Sequence, residues 1–141
     1  LEECFGPVVL LVTYGSDDEL LATVGVLDGQ LTATIHAGAN EEDLVAALTE
    51  SLRERVGRLL YGGVPTGVAV THAMHHGGPY PATTASSHTS VGMTAIGRFL
   101  RPIALQNAPA SALPPALRDH NELGIWRRVD GELTRADAAP A

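Results

Sequence analysis

The chain has 141 residues, of which 45% are hydrophobic and 18% charged, a composition typical of a folded globular domain. Nine Lys and Arg residues stand against 16 Asp and Glu residues, giving a formal net charge of -7. Because so acidic a chain does not neutralise phosphates, we expect neither nucleic acid nor a membrane as a partner. A single cysteine, Cys4, excludes an internal disulfide and favours a reducing compartment, so we expect a cytoplasmic protein.

The first 36 residues contain a strand pattern, a helix pattern and a second strand pattern. Residues 7–14 are a nearly continuous apolar run, which is typical of a strand buried on both faces. Ser16 followed by Glu19 predicts a capping box at the start of a helix that ends at Gly29. Residues 31–36 predict the second strand.

A second helix and a third strand follow. Asn40 is the predicted N-cap of this helix, and Gly57 its predicted end. Its predicted apolar face consists of Leu44, Val45, Leu48, Leu52 and Val56. Residues 59–61 predict a short strand, and the alternation of strands and helices predicts an α/β fold with a parallel sheet.

The pattern changes after Tyr61. Residues 62–90 contain five glycines, three prolines and four histidines and show little periodicity. Loops of this length inside compact domains are commonly functional, which is the interpretation we adopt. Residues 91–98 predict a short helix, and residues 99–106 predict an extended segment that Pro102 restricts to a sheet edge or an arm.

Six short motifs occur between residues 2 and 103: Glu2-Glu3-Cys4-Phe5-Gly6-Pro7, Gly29-Gln30-Leu31-Thr32-Ala33-Thr34, Gly57-Arg58-Leu59-Leu60, Pro65-Thr66-Gly67-Val68, His76-Gly77-Gly78-Pro79-Tyr80-Pro81-Ala82-Thr83 and Phe99-Leu100-Arg101-Pro102-Ile103. In this order they resemble the aldehyde dehydrogenase superfamily. The residues in these motifs most resemble those of its 2-oxoglutarate semialdehyde (2,5-dioxovalerate) dehydrogenase branch. The chain departs from the broader superfamily at His76, where Phe is usual, and at about Gly62, where Asn is usual.

The resemblance implies a fold and its divisions. Residues 1–98 would be the C-terminal part of the catalytic domain, as a three-layer α/β piece with a parallel sheet. Residues 99–106 would be an arm strand that joins subunits into a homo-oligomer, through Phe99, Leu100 and Ile103. Alternatively, those three side chains would cover this chain's own sheet. The sequence does not separate the two roles, because an extended edge can pair with its own sheet or with another subunit. Residues 107–141 would be an Ala- and Pro-rich tail.

The resemblance also implies a reaction, the oxidation of an aldehyde to a carboxylic acid with NAD or NADP as the cofactor. In the family, a cysteine nucleophile, a Glu general base and an oxyanion-binding Asn all precede the first motif. We therefore expect no catalytic residue in this chain, which would be an inactive fragment of a larger enzyme. Cys4 stands at a variable position of the motif, and free cysteines are usually buried, so we interpret it as non-catalytic.

Five residues receive site roles from the resemblance. Glu3 would bind the nicotinamide ribose hydroxyls, and Phe5 would pack beside the nicotinamide ring. His72, His76 and Gly77 would line the substrate pocket for a small aldehyde. We hypothesise that His76 or His72 receives the distal carboxylate of a dicarboxylic semialdehyde, because a polar or cationic group suits a carboxylate.

Two other functions are alternatives. His72, His75 and His76 could suggest a metal site, but we expect no metal, because Ala73 replaces the Glu of the helical zinc motif and no Cys, Asp or Glu lies nearby. A free-standing, non-catalytic assembly module derived from the same fold is the second alternative. It would keep the sheet and the arm and act by association.

Overall fold

The computed structural model describes residues 4–139 and divides into two compact units, Leu1–Arg101 and Pro102–Ala141. The first unit contains α1 (Asp17–Gly25), β1 (Gln30–Ile35), α2 (Glu42–Arg53), β2 (Val56–Tyr61) and a 3-10 turn (Ala95–Phe99). The second contains 3-10 turns at Ala110–Ala112 and Pro115–Leu117, then β3 (Arg127–Val129) and β4 (Glu132–Thr134). None of the helices in residues 4–139 has the length and apolarity needed to cross a membrane.

The first unit is built on a β1–α2–β2 crossover. The two strands are parallel, with Gln30 opposite Val56 at one end and Ile35 opposite Tyr61 at the other. Helix α2 packs on both strands, and α1 packs on α2. The predicted α/β class with a parallel sheet is therefore confirmed.

Both helices follow from local sequence chemistry. The Ser16 hydroxyl accepts a hydrogen bond from the Glu19 amide at 3.3 Å, as the capping box predicts. The Glu19 carboxylate also accepts a hydrogen bond from the Gly15 amide, one residue before the N-cap, at 2.7 Å, and thereby holds the chain that leads into the helix. In α2 four of the five predicted apolar residues are confirmed: Leu48 and Leu52 are buried beside Ile35, with Leu44 and Val45 packed around them.

The predicted boundaries of α2 are wrong at both ends. Asn40 does not cap the helix: it adopts a left-handed φ of 63°, which asparagine tolerates, and Glu41 takes the N-cap position. At the other end, Val56 and Gly57 are the first residues of β2 instead of the last of the helix. The Gln30 amide donates a hydrogen bond to the Arg55 carbonyl at 2.7 Å, so strand pairing begins directly after the helix.

Two predicted strands are absent from residues 4–139. The run 7–14 forms no strand and is exposed, with Leu10 at 70% exposure. A strand that is apolar on both faces needs neighbours on both edges and a layer on each side, and none of the described elements covers this run. Residues 100–106 likewise form no strand, and Phe99 closes the 3-10 turn.

The second unit is held by polar side chains that bind backbone carbonyls. The Arg127 guanidinium donates to the carbonyls of Arg118, Asp119 and Ala136. Asn121 donates to the carbonyls of Ile125 and Arg135, at 2.9 and 2.7 Å. These contacts fasten residues 118–125 onto the β3–β4 hairpin.

An ion pair joins the beginning and end of this network. His120 Nδ1 lies 3.0 Å from a carboxylate oxygen of Asp137, and the Asn121 amide donates to the same carboxylate at 2.7 Å. The hydrogen bond to Asp137, together with its charge, raises the pKa of His120 above 6.5. The Asn121 amide, followed by His120, lowers the pKa of Asp137 below 3.8. Nearby, Glu122 strengthens the upward shift of His120 and Arg127 opposes it.

Replacing Leu52 should destabilise the first unit far more than replacing an exposed leucine. Leu52 is 6% exposed, so Leu52→Ala should lower the free energy of unfolding by roughly 2–4 kcal/mol, from lost burial and the cavity left behind. The matched change Leu10→Ala should stay within about 0.5 kcal/mol, since that side chain is exposed. Urea unfolding followed by circular dichroism measures both. Equal losses would contradict the packing described.

Amide protection in residues 118–138 should depend on pH in two windows. Because the pKa of His120 is raised on folding, its stabilisation is complete below pH 6.5 and is lost as the pH rises through the higher folded value. Because the pKa of Asp137 is lowered, its stabilisation is present above pH 3.8 and is lost as the pH falls through the folded value. The protection factors of the Asn121 and Ala138 amides, which are the intrinsic exchange rates at each pH divided by the observed ones, should therefore be largest between these limits.

Two single substitutions separate the acid and the alkaline parts of this pH dependence. His120→Gln should abolish the change on the alkaline side and keep the one on the acid side, whereas Asp137→Asn should remove both. A His120→Gln protein that retains the alkaline change would show that another group produces it.

Candidate functional site

The loop that follows β2 is seated on the starts of both strands through glycine backbones. A side chain at Gly57, the second residue of β2, would overlap the Gly77 carbonyl. A side chain at Gly29, directly before β1, would collide with the carbonyls of Pro79 and Tyr80. At Gly78 a Cβ would lie 2.5 Å from the Gln30 carbonyl oxygen, and its φ of +154° also favours glycine. Only glycine at these three positions lets the loop backbone come this close to the strands.

We call this contact between the Gly77–Gly78 backbone and the starts of β1 and β2 the seat, and it brings together three of the sequence motifs. Gly29-Gln30, Gly57 and Gly77-Gly78 are far apart in the sequence, and the structure brings their backbones into contact. Gly77 and Gly78 are buried there, and His76 beside them is partly buried. Gly77 and Gly78 therefore allow the loop to pack closely on the sheet.

The His76 backbone is bound on both sides. Its amide donates to the Thr89 hydroxyl at 2.8 Å. Its carbonyl accepts from the Ser90 amide and from the Ser90 hydroxyl, each at 2.9 Å. The His76 Nδ1 atom is buried and has no hydrogen-bond partner among residues 4–139. A fixed backbone thus carries an imidazole whose Nδ1 atom is enclosed and unpartnered within residues 4–139.

Further contacts tie the first part of the loop to the sheet. Arg58 of β2 donates to the Gly67 carbonyl at 2.9 Å and lies 4.0 Å from the Met74 sulfur. The Met93 amide donates to the Thr71 carbonyl at 3.1 Å, and this closes the loop at its base. The loop is therefore a fixed element although it contains no helix or strand.

The remaining predicted pocket residue, His72, and His75 of the metal alternative are placed differently. His72 is exposed, and His75 turns toward Gly77, where a Cβ would lie 3.0 Å from its Nε2 atom. His76 and Gly77 lie at the seat, whereas the structure gives His72 no hydrogen bond to it. A separate groove of about 280 Å³ lies between α1, α2 and the end of β1; its lining includes none of these residues and consists mostly of core side chains, so it is a gap in the packing.

The first motif lies partly outside the described residues. Glu3 is one of the residues that the structure does not describe, so its predicted cofactor role stays a prediction. Phe5 is 92% exposed. Cys4 is also exposed, so the expectation that it is buried is wrong, and its non-catalytic interpretation rests on its variable position in the motif alone.

The histidines do not form a metal cluster in the described part of the chain. Across residues 4–139, no three side chains of His, Cys, Asp or Glu come together in a way that could hold a metal ion. His120 and Asp137 make a pair, and it belongs to the second unit.

Thr89 and Ser90 were not singled out by the sequence. Thr and Ser recur throughout residues 62–90, so no residue type or spacing marks these two. Their role depends on the loop folding back from residue 89 to residue 76, which is a tertiary contact. A polar residue that is only 4% exposed, as Thr89 is, becomes informative once the burial is known.

Comparison with known proteins identifies relatives across nearly the whole chain. It is 47% identical over 130 residues to alpha-ketoglutaric semialdehyde dehydrogenase 2 of Azospirillum brasilense. It is 46% identical over 133 residues to alpha-ketoglutaric semialdehyde dehydrogenase of Acinetobacter baylyi. These matches cover 92% and 94% of this chain but 25% of each relative, so the chain spans about a quarter of their length. No protein-family model matches. The resemblance inferred from the motifs is confirmed.

Adding a methyl group at the seat should damage it, whereas adding one elsewhere in the loop should not. Gly57→Ala should lower the free energy of unfolding by roughly 1–3 kcal/mol, because the new Cβ meets the Gly77 backbone, which has no room to retreat. The matched change Gly67→Ala meets nothing within 4 Å and should be close to neutral. Thermal unfolding of the two variants measures the difference. Indistinguishable melting temperatures would show that the loop is not seated as described.

Proposed function

We propose that this chain, a homologue of aldehyde dehydrogenases over 130 of its residues, is the C-terminal part of the catalytic domain of an NAD(P)-dependent aldehyde dehydrogenase. The parent protein would oxidise a short dicarboxylic semialdehyde, such as 2-oxoglutarate semialdehyde, to the acid. Alpha-ketoglutaric semialdehyde, in the names of the relatives, is the same compound. The observation that carries the proposal is the convergence of three family motifs on one backbone seat beside His76.

His76 is the substrate-recognition group in this proposal. Its backbone is fixed and the residue is only partly buried, so the exposed part of the imidazole would offer a hydrogen bond to a ligand. An imidazole that donates to a carboxylate gains from the opposite charge when protonated. Where the broader superfamily has Phe, such a group would favour an aldehyde that carries a second, negatively charged end.

The cofactor would be NAD or NADP, which accepts the hydride during the oxidation. Glu3 and Phe5 would hold its nicotinamide half, and holding a flexible group in place promotes transfer at short range. The Phe5 ring is almost wholly exposed, so its faces are open to stacking, which fits this role. The nucleophile, the general base and the oxyanion donor would come from other parts of the parent.

Two exposed apolar segments have roles in the same proposal. The unpaired run 7–14 would be a strand of the parent's larger, three-layer sheet. Phe99, Leu100 and Ile103 are all exposed and would form the arm that pairs with another subunit. Exposed backbone edges and apolar side chains on one segment favour pairing with a further strand.

Replacing His76 should change the choice of substrate in the parent protein. His76→Phe should raise KM for 2-oxoglutarate semialdehyde by roughly tenfold, the cost of losing one charge-assisted hydrogen bond. KM for an uncharged aldehyde of similar length should change less than about twofold, because that substrate does not use the lost hydrogen bond. Steady-state kinetics on both substrates measures the ratio.

His36→Phe is the matched control. His36 is exposed at the far end of β1, so this change should leave both KM values unaltered. If His76→Phe raised KM equally for the charged and the uncharged aldehyde, the recognition role of His76 would be refuted.

A further inference from the structure

We propose that Thr89 is a positioning residue that fixes His76 for substrate recognition, an inference that rests on the function proposed for His76. The sequence distance between the two residues is 13, and the hydrogen bond between them crosses the loop. Thr89 does not face the ligand itself. It acts through the backbone of the residue that does.

The Thr89 hydroxyl uses its full hydrogen-bonding capacity inside the loop. It accepts from the His76 amide at 2.8 Å and from the Val91 amide at 3.4 Å, and it donates to the Val91 carbonyl at 2.6 Å. A hydroxyl has one proton and two lone pairs, so no capacity is left for a ligand. Because Thr89 is 4% exposed, water cannot readily replace these partners.

The geometry explains why this contact matters for His76 in particular. Ser90 holds the His76 carbonyl while Thr89 holds the amide, so both backbone polar groups of His76 are fixed by adjacent residues. On the other side, Gly77 and Gly78 are pressed against the strands. The position of the His76 backbone, from which the imidazole projects, is therefore set by contacts on two sides, and Thr89 supplies one of them.

Two substitutions isolate the hydroxyl. Thr89→Val keeps the branched shape and removes the hydroxyl, which leaves the His76 amide without its partner. Thr89→Ser keeps the hydroxyl and removes only the methyl group. A merely structural role for the side chain as a packing group would make the serine variant at least as damaging as the valine variant.

The kinetic test uses the full-length protein. Thr89→Val should raise KM for 2-oxoglutarate semialdehyde roughly three- to tenfold, as expected for the loss of one hydrogen bond. Changes in kcat, and in KM for an uncharged aldehyde, should stay within about twofold, and Thr89→Ser should behave like the unmodified protein. In a His76→Phe background, Thr89→Val should add nothing, because contacting groups that act as a unit are not additive. An additive effect, or equal effects on both substrates, would overturn the proposal.

A second readout separates failure of this inference from failure of the proposed function. Hydrogen exchange of the peptide that contains the His76 amide, measured by mass spectrometry, should be faster in Thr89→Val and unchanged in Thr89→Ser. If His76→Phe left substrate selectivity intact, the recognition role would fail, and the exchange result would still decide whether Thr89 fixes His76. Unchanged exchange in Thr89→Val would refute the positioning role whatever the kinetics showed.

Discussion

The close approach of the Gly77–Gly78 backbone to the starts of β1 and β2 is the constraint on which the candidate site depends. The loop has no helix or strand of its own, so its shape comes from where it touches the sheet. Glycines on both sides of the contact let two backbones meet at distances that any side chain would prevent. Once the loop is held there, the Thr89 and Ser90 contacts can fix the backbone of His76.

Much of the first unit could be predicted from the sequence, because its signals are local. The Ser16–Glu19 cap and the leucine face of α2 depend on spacing within a few residues, and both are confirmed. The start of β2 could not be placed in the same way. A glycine after an apolar helix pattern usually signals the end of the helix. Gly57 is instead a strand residue, at a position where the loop leaves no room for a side chain.

The β3–β4 hairpin was missed although a local signal was present. Asp130 and Gly131 connect the strands with φ angles of 50° and 87°, and Asp-Gly is a strong hairpin signal. In the candidate site no local signal was present for one residue. The motif His76-Gly77-Gly78 indicates the region, whereas the role of Thr89 depends on a tertiary contact that the sequence does not show.

The site and the relatives support a single functional interpretation. A loop held on a sheet carries a partly buried histidine beside the seat, and the relatives are named alpha-ketoglutaric semialdehyde dehydrogenases. In the proposed role rigid support would matter, because a hydrogen bond weakens steeply as its distance and angle depart from the ideal. In this interpretation, glycine packing and substrate choice are parts of the same arrangement.

Native-state hydrogen exchange of individual backbone amides tests most directly whether the loop is seated on the sheet. The His76 and Ser90 amides are hydrogen-bonded within the loop, and the Gln30 and Gly62 amides are hydrogen-bonded at the two ends of the sheet. If the loop is fixed to the strands, all four amides should be protected and should open with similar free energies. Exchange of His76 and Ser90 at the rate of an unfolded chain, while Gln30 and Gly62 stay protected, would contradict the seated loop and the recognition role that depends on it.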